Sequence, residues 1–172
     1  DKITGERKIY DLALNCMFVY ASELSDKIFG EKTDTQKTRS AIKATFYNEE
    51  KGLYKACTHG EPVYTCLGNS LAILAGMGDE SIAEKLAAGD GIEKISLSMN
   101  TFFYDALLSF GNKYKTFVLE DIERKYKPML DAGATTFWET ELGAKDFGGA
   151  GSLCHGWSAM PVYYYSVLGA AK

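Results

Sequence analysis

Residues 98–127, SMNTFFYDALLSFGNKYKTFVLEDIERKYK, decide the fold class. The first half, 98–110, carries Met99, Phe102, Phe103, Ala106, Leu107 and Phe110, which at helical spacing fall on more than one face. A helix that is apolar on several faces must be covered on several sides. After Gly111 and Asn112, residues 113–127 are apolar on one side only and read as a helix with one solvated face. The pair predicts a thick inner helix followed by a thin outer one.

The alternation recurs toward the N-terminus. Residues 5–29 hold Ile9, Leu12, Ala13, Cys16, Val19 and Tyr20 at helical spacing, with Leu14, Met17 and Phe18 as a second apolar face, so this helix is expected to be packed on two sides. Gly30 stops it, and Thr33 or Asp34 can cap a second helix running to about Ala44. Residues 46–62, FYNEEKGLYKACTHGEP, lack helical period and read as a long loop holding a short β-turn or ribbon. Val63, Leu67, Leu71 and Leu74 predict a third helix ending at Gly76 and Gly78, and residues 79–88 a short one capped by Asp79 and closed by Gly89 and Gly91.

Beyond residue 127, Pro128 is expected to break the helix, and the glycine-rich segment 143–151 to form a flexible loop. Residues 152–171 should close the chain as an apolar helix, with Pro161 in its first turn or at a kink. The repeated inner-outer pairing suits a layered helical toroid better than a plain bundle, which rarely needs glycine-rich aromatic loops between its helices.

Composition narrows the function. With 172 residues, 46% of them hydrophobic, the chain can bury one substantial core, and one globular unit is expected. Its net charge of −4 is spread without a basic run, so nucleic acid is not an expected partner. No apolar stretch is long enough to span a membrane, and residues 1–10 lack the apolar core of a secretory signal, so no membrane partner is expected either. Cys16, Cys57, Cys66 and Cys154 form no C-x-x-C pair and read as buried free thiols. That usage leans toward a reducing, cytoplasmic compartment and leaves a periplasmic parent enzyme open. With His59 and His155 as the only imidazoles, no zinc pattern is met, and neither a metal nor another cofactor is expected.

The chemistry concentrates in residues 133–141, GATTFWETE. Trp138 offers an aromatic face to the C–H side of a pyranose, Thr135 and Thr136 offer hydroxyls, and Glu139 offers an acid or base. By themselves these residues read first as a core tryptophan and a solvated glutamate at a helix start, where the dipole favours it. His155 and Trp157, on the far side of the glycine-rich loop, supply a further hydrogen-bonding group and a second aromatic wall.

The run GATTFWET followed by GSLCHGWSAMPVYYY resembles the end of the six-hairpin catalytic domain of bacterial α-L-rhamnosidases, and GLYKACTHGEPVYTCLGNSLAILAGM is similar to an earlier hairpin of that barrel. The resemblance spans residues 45–171. It implies an all-α fold, an incomplete (α/α)6 toroid, with residues 1–172 as the C-terminal part of the catalytic domain. It implies that Glu139 is the general base of an inverting hydrolase removing terminal α-L-rhamnose, that Trp138 is the motif tryptophan, and that His155 contacts the sugar. Placing Trp157 in the same pocket is an inference from its spacing. The family's general acid has no match here, since Glu6 and Arg7 have the residue types without the surrounding pattern.

The chain is therefore expected to carry the base half of the site and to lack the acid half, with little turnover by itself. Uncovered inner helices would favour self-association. A non-catalytic carbohydrate-binding or interaction module, and a six-hairpin hydrolase for another sugar, stay open as alternatives.

Overall fold

A computed structural model describes residues 8–169. The chain divides into two compact units, residues 1–94 and 95–172.

The first unit contains α1 (Leu12–Phe29), α2 (Gln36–Phe46), a two-stranded antiparallel ribbon of β1 (Tyr47–Asn48) and β2 (Leu53–Tyr54), α3 (Cys66–Leu74) and α4 (Glu80–Ala88). The ribbon falls inside the segment expected to hold one. Helix α1 starts later than its apolar pattern does. Residues 5–7 of the expected span lie outside the described residues, while Tyr10 and Leu12 are held to the ribbon side: the Leu12 N–H donates to the Ala56 carbonyl at 2.8 Å and the Thr58 N–H to that of Tyr10 at 3.1 Å. Asp11 then caps the helix by accepting the Leu14 N–H at 2.7 Å. Gly30, at φ 70°, ends it as expected.

At α2, the Asp34 carboxylate accepts the Gln36 N–H at 3.1 Å, whereas Thr33 bonds back to the Asp26 carboxylate. Asp79 caps α4 through the Ser81 and Ile82 N–H groups, and Gly89 closes it at φ 76°. Helix α3 begins at Cys66 rather than just after Pro62, because Val63 and Tyr64 give their carbonyls to Ala56 and Glu93.

Helix α3 is the centre of this unit, with seven of its nine residues buried. Among them is Asn69, fully buried, whose amide oxygen accepts the Tyr54 N–H at 2.8 Å while its NH2 donates to the carbonyls of Tyr54 (3.0 Å) and Thr65 (3.1 Å). One side chain thereby ties the ribbon to the helix. Helix α2, with only Ile42 and Phe46 buried, is the expected one-sided helix. Helix α1 departs from expectation: Leu12, Cys16 and Val19 are buried, but the second apolar face is open, with Leu14 71% and Phe18 58% exposed.

The second unit contains α5 (Asn100–Leu108), α6 (Lys115–Asp131) and α7 (Pro161–Val167). Five of the nine residues of α5 are buried against five of the seventeen of α6, the inner-outer contrast read from the sequence. Pro128 does not break α6. It sits in the last turn, where its ring removes one backbone donor and only three further residues follow. Helix α7 is shorter than expected, covering seven residues with Pro161 at its first position, where the missing N–H has no helical partner to lose. Residues 170–171 of the expected closing helix lie outside the described residues.

The core of this unit is crossed by polar side chains. Buried Lys125 makes an ion pair with Asp121 at 2.7 Å, donates to the Asn100 amide oxygen at 2.8 Å, and lies 5.5 Å from the Tyr104 ring centroid. The Tyr104 hydroxyl donates to the same Asp121 carboxylate at 2.7 Å. Burial raises the pKa of Asp121, yet the bonds from Lys125, Tyr104 and Arg124 outweigh it and hold the carboxyl below its usual range. Asp105 has the opposite balance: burial raises its pKa, and the single hydroxyl of Tyr164, at 2.7 Å, offsets only part of that shift. Two of the four thiols, Cys16 and Cys66, are buried as expected, but Cys57 is half-buried and Cys154 exposed because both lie in loops, and all four are free.

Two outcomes follow for stability. Asn69→Ala strands the Tyr54 N–H and carbonyl in the core and should cost roughly 2–4 kcal/mol in urea unfolding. Asp105→Asn should stabilise the protein at neutral pH, because the raised pKa means that the charged form is disfavoured on folding. The gain is present above the folded-state pKa and vanishes as pH falls below about 4, where the unfolded chain is protonated too. Parallel melting curves of both proteins at neutral and acidic pH test this.

Candidate functional site

The segment expected to carry the chemistry leaves α6 through a tight exit. Gly133, at φ 74°, lets the chain reverse, and the Ala134 N–H returns to the Met129 carbonyl at 3.0 Å. Residues 136–139 then run beside residues 152–155. The Phe137 carbonyl accepts the His155 N–H at 2.7 Å, the Glu139 N–H donates to the Ser152 carbonyl at 2.9 Å, and the Thr136 hydroxyl donates to the Leu153 carbonyl. Residues 152–155 are therefore not the start of a helix, as the sequence reading had them, but one side of a short backbone ladder. Their polar groups are already committed to the opposite segment, and Pro161 marks where helix begins.

This ladder brings Trp138, Glu139 and His155 onto neighbouring segments, all half-buried. The Glu139 carboxylate accepts the Ser152 N–H at 3.2 Å, which orients it through the backbone of the facing segment. Between the two sides, the loop is closed around Asp146, whose carbonyl accepts the N–H groups of Gly149, Ala150 and Gly151 at 2.9, 3.0 and 3.1 Å. Its carboxylate accepts the Phe147 N–H at 2.8 Å, where Phe147 holds a left-handed φ of 49°. Gly143 is buried under the indole of Trp138: a Cβ at that position would lie 2.5 Å from the ring's Cε3. The glycine-rich loop is thus a folded turn that seats Trp138.

Trp157 stands apart, 76% exposed, with its ring edge-on to His155 at 5.9 Å between centroids. It extends the aromatic surface outward from the imidazole. Beside the ladder lies a largely apolar hollow of about 650 Å³, bounded by Tyr126, Met129, Leu130, Thr136, Phe137 and Tyr165. Trp138, Glu139, His155 and Trp157 do not line it, so this hollow and the expected carboxylate lie on different parts of the surface.

Three neighbours of the segment had no signal in its motif. Thr140, next to Glu139, buries a hydroxyl that finds no hydrogen-bond partner among the described residues. Glu141 faces Arg124 at 3.6 Å, and Arg124 also holds Asp121 at 2.6 Å, linking the site segment to the polar core. Tyr126 donates its hydroxyl to the Ser158 carbonyl at 2.8 Å, and burial, with the Glu141 carboxylate adding to it, pushes its pKa up. Only the pairing of distant segments reveals these contacts, although the polar residues on the buried side of residues 121–126 were visible as a break in the apolar pattern. Among the described residues, no group of three or more His, Cys, Asp or Glu is placed to hold a metal ion.

Gly143→Ala should disturb Trp138 directly, since the added methyl enters the indole contact at a backbone angle that alanine rarely adopts. In a Trp157→Phe background, where Trp138 is the only indole, the expected result is a red-shifted fluorescence maximum and a loss of about 1–3 kcal/mol in stability.

No family model and no curated protein matches the chain. Two solved structures do. A rhamnosidase of glycoside hydrolase family GH78 from a Bacillus species superposes with a TM-score of 0.64 at 30% sequence identity, covering 75% of this chain and 15% of that one. A rhamnosidase from Klebsiella oxytoca with rhamnose bound superposes with a TM-score of 0.72 at 20% identity, covering 92% of this chain and 34% of that one. The chain therefore has the fold of a portion of these rhamnosidases and spans a small part of their length.

Proposed function

We propose that the chain forms part of a layered helical toroid that removes terminal α-L-rhamnose by inverting hydrolysis, with Glu139 as the general base. Two observations support this reading together: a rhamnosidase-like fold over most of the chain, and a half-buried glutamate on a segment whose backbone is hydrogen-bonded to the one that carries His155. The K. oxytoca rhamnosidase holds rhamnose, and the sugar is carried over to this chain as its proposed ligand.

In this mechanism Glu139 takes a proton from a water that attacks the anomeric carbon, while a second carboxyl group, ~6.5–9.5 Å away across the sugar, protonates the leaving oxygen. Trp138 presents its face to the apolar side of the ring, His155 donates to or accepts from a hydroxyl, and Trp157 guards the outer edge. The Ser152 N–H keeps the carboxylate aimed without neutralising it, which leaves the second oxygen for water. No residue of this chain is assigned as the acid; Glu6 and Arg7 lie outside the described residues.

A second reading, a binding module without turnover, draws on the 76% exposure of Trp157, which suits an open platform for sugar stacking. The two readings separate on Glu139. Base catalysis contributes typically ~10²–10⁴-fold, so in a protein that supplies both carboxyls Glu139→Gln should lower kcat by at least that factor on natural and activated aryl rhamnosides alike, because both need the attacking water. The 172-residue chain alone should bind L-rhamnose in preference to D-glucose, seen as quenching of Trp138, and hydrolyse aryl rhamnosides slowly at best. Unchanged turnover in the glutamine variant would remove Glu139 from the mechanism, and rhamnose binding with no turnover in any context would leave the platform reading.

A further inference from the structure

Most of the bonds that hold residues 152–155 come from the facing segment, but Cys154, next to the histidine, is held from its own side. Its N–H donates to the Ser152 hydroxyl oxygen at 3.2 Å, and the Ser152 hydroxyl donates to its carbonyl at 3.1 Å. The same serine meets Glu139 twice. The Ser152 N–H donates to the Glu139 carboxylate at 3.2 Å, and the Ser152 carbonyl accepts the Glu139 N–H at 2.9 Å. One residue therefore grips the carboxylate with its backbone and, with its side chain, the residue that leads into His155.

Ser152 is itself held in place from upstream. The Gly151 N–H donates to the Asp146 carbonyl at 3.1 Å, and a Cβ on Gly151 would run into the Gly143 carbonyl, so the folded loop delivers the chain to residue 152 along one path. Downstream the chain bends at Leu153, and the Ser152 hydroxyl closes that bend by taking both backbone groups of Cys154. The His155 N–H is then presented to the Phe137 carbonyl at 2.7 Å. Cys154 is exposed, so water can replace the hydroxyl at both groups if it is removed. Stability has little to lose there. The spacing between Glu139 and His155 has more to lose, because the bend that sets it is no longer held by the chain itself.

We propose that Ser152 is a positioning residue that fixes the spacing between Glu139 and His155, so that the attacking water and the histidine meet the same sugar ring. The proposal rests on the reading of Glu139 as the base and His155 as a sugar ligand. Ser152 acts through those two side chains and is assigned no contact with the sugar. In the 172-residue chain, Ser152→Ala should leave the urea midpoint unchanged while hydrogen exchange at the His155 N–H accelerates roughly tenfold or more. The Glu139 N–H, still bonded to the carbonyl of residue 152, should keep its protection. In a protein that supplies both carboxyls, the alanine variant retains the backbone donor on Glu139. Its loss should therefore fall on KM for an aryl rhamnoside, roughly tenfold, with kcat within about threefold of the wild type. Ser152→Thr keeps the hydroxyl and should restore both the exchange rate and KM. Unchanged His155 exchange in the alanine variant, an unchanged KM, or a threonine variant as impaired as the alanine one overturns the proposal. Retained turnover in Glu139→Gln removes the underlying reading instead, and the two failures are told apart because the exchange measurement involves no hydrolysis.

Discussion

The hydrogen bond from the His155 N–H to the Phe137 carbonyl, with its neighbour from Glu139 to Ser152, is the constraint on which the candidate site depends. Neither segment is long enough to be a strand of a sheet, and neither continues a helix. Their backbone groups would be unsatisfied without each other in a half-buried setting, so the pairing is obligatory and fixes which side chains become neighbours. Once it forms, the loop between must close in a dozen residues; glycines 143, 148 and 149, all at positive φ, let the chain turn tightly around Asp146, and Gly151 leaves room for the Gly143 carbonyl. Trp138 is then clamped on Gly143, and the carboxylate of Glu139 meets the Ser152 N–H.

Much of the helical layout was legible because it rests on local signals. Gly30, Asp79 and Gly89 terminate or cap helices where their chemistry says they should, and α5 against α6 shows the inner-outer contrast of their apolar patterns. The misreadings share one cause, competition from distant backbone. Tyr10 to Leu12 pair with residues 56–58 and delay α1, Val63 and Tyr64 pair with Ala56 and Glu93 and delay α3, and residues 152–155 pair with 136–139 and displace the expected helix start. Apolar periodicity reports which face of a helix is oily. It carries no information about whether a remote segment will claim the backbone first. Pro128 erred the other way: it costs α6 the N–H that would reach the Arg124 carbonyl, yet the helix runs three residues past it to Asp131.

The site was legible in its parts and not in its arrangement. Trp138, Glu139, His155 and Trp157 were nominated by residue type, and it is the ladder rather than any spacing that sets the segments of Glu139 and His155 side by side. Thr140, Arg124 and Tyr126 were invisible to that reasoning because their relevance lies entirely in what packs against them. Arg124 matters most here, because it joins Glu141 on the site segment to Asp121 in the polar core.

That core raises a question of purpose. Burying Lys125 and half-burying Asp121 and Asp105 is expensive compared with an apolar filling, and a well-formed buried ion pair often gives no net stability over hydrophobic residues of the same volume. The geometry suggests what such groups supply instead. Lys125 reaches Asp121 on its own helix and Asn100 at the start of α5, while Tyr164 of α7 reaches Asp105 and the Thr101 carbonyl on α5. Each bond has one acceptor at one height, so α6 and α7 can dock on α5 in only one register, whereas apolar side chains alone would tolerate sliding by a turn. Since α6 leads directly into the GATTFWET segment and α7 follows directly from residues 152–160, register in the core becomes register in the ladder. A slip of one helical turn, about 5.4 Å, would be enough to part Phe137 from His155. The buried charges thus hold the two halves of the site opposite each other.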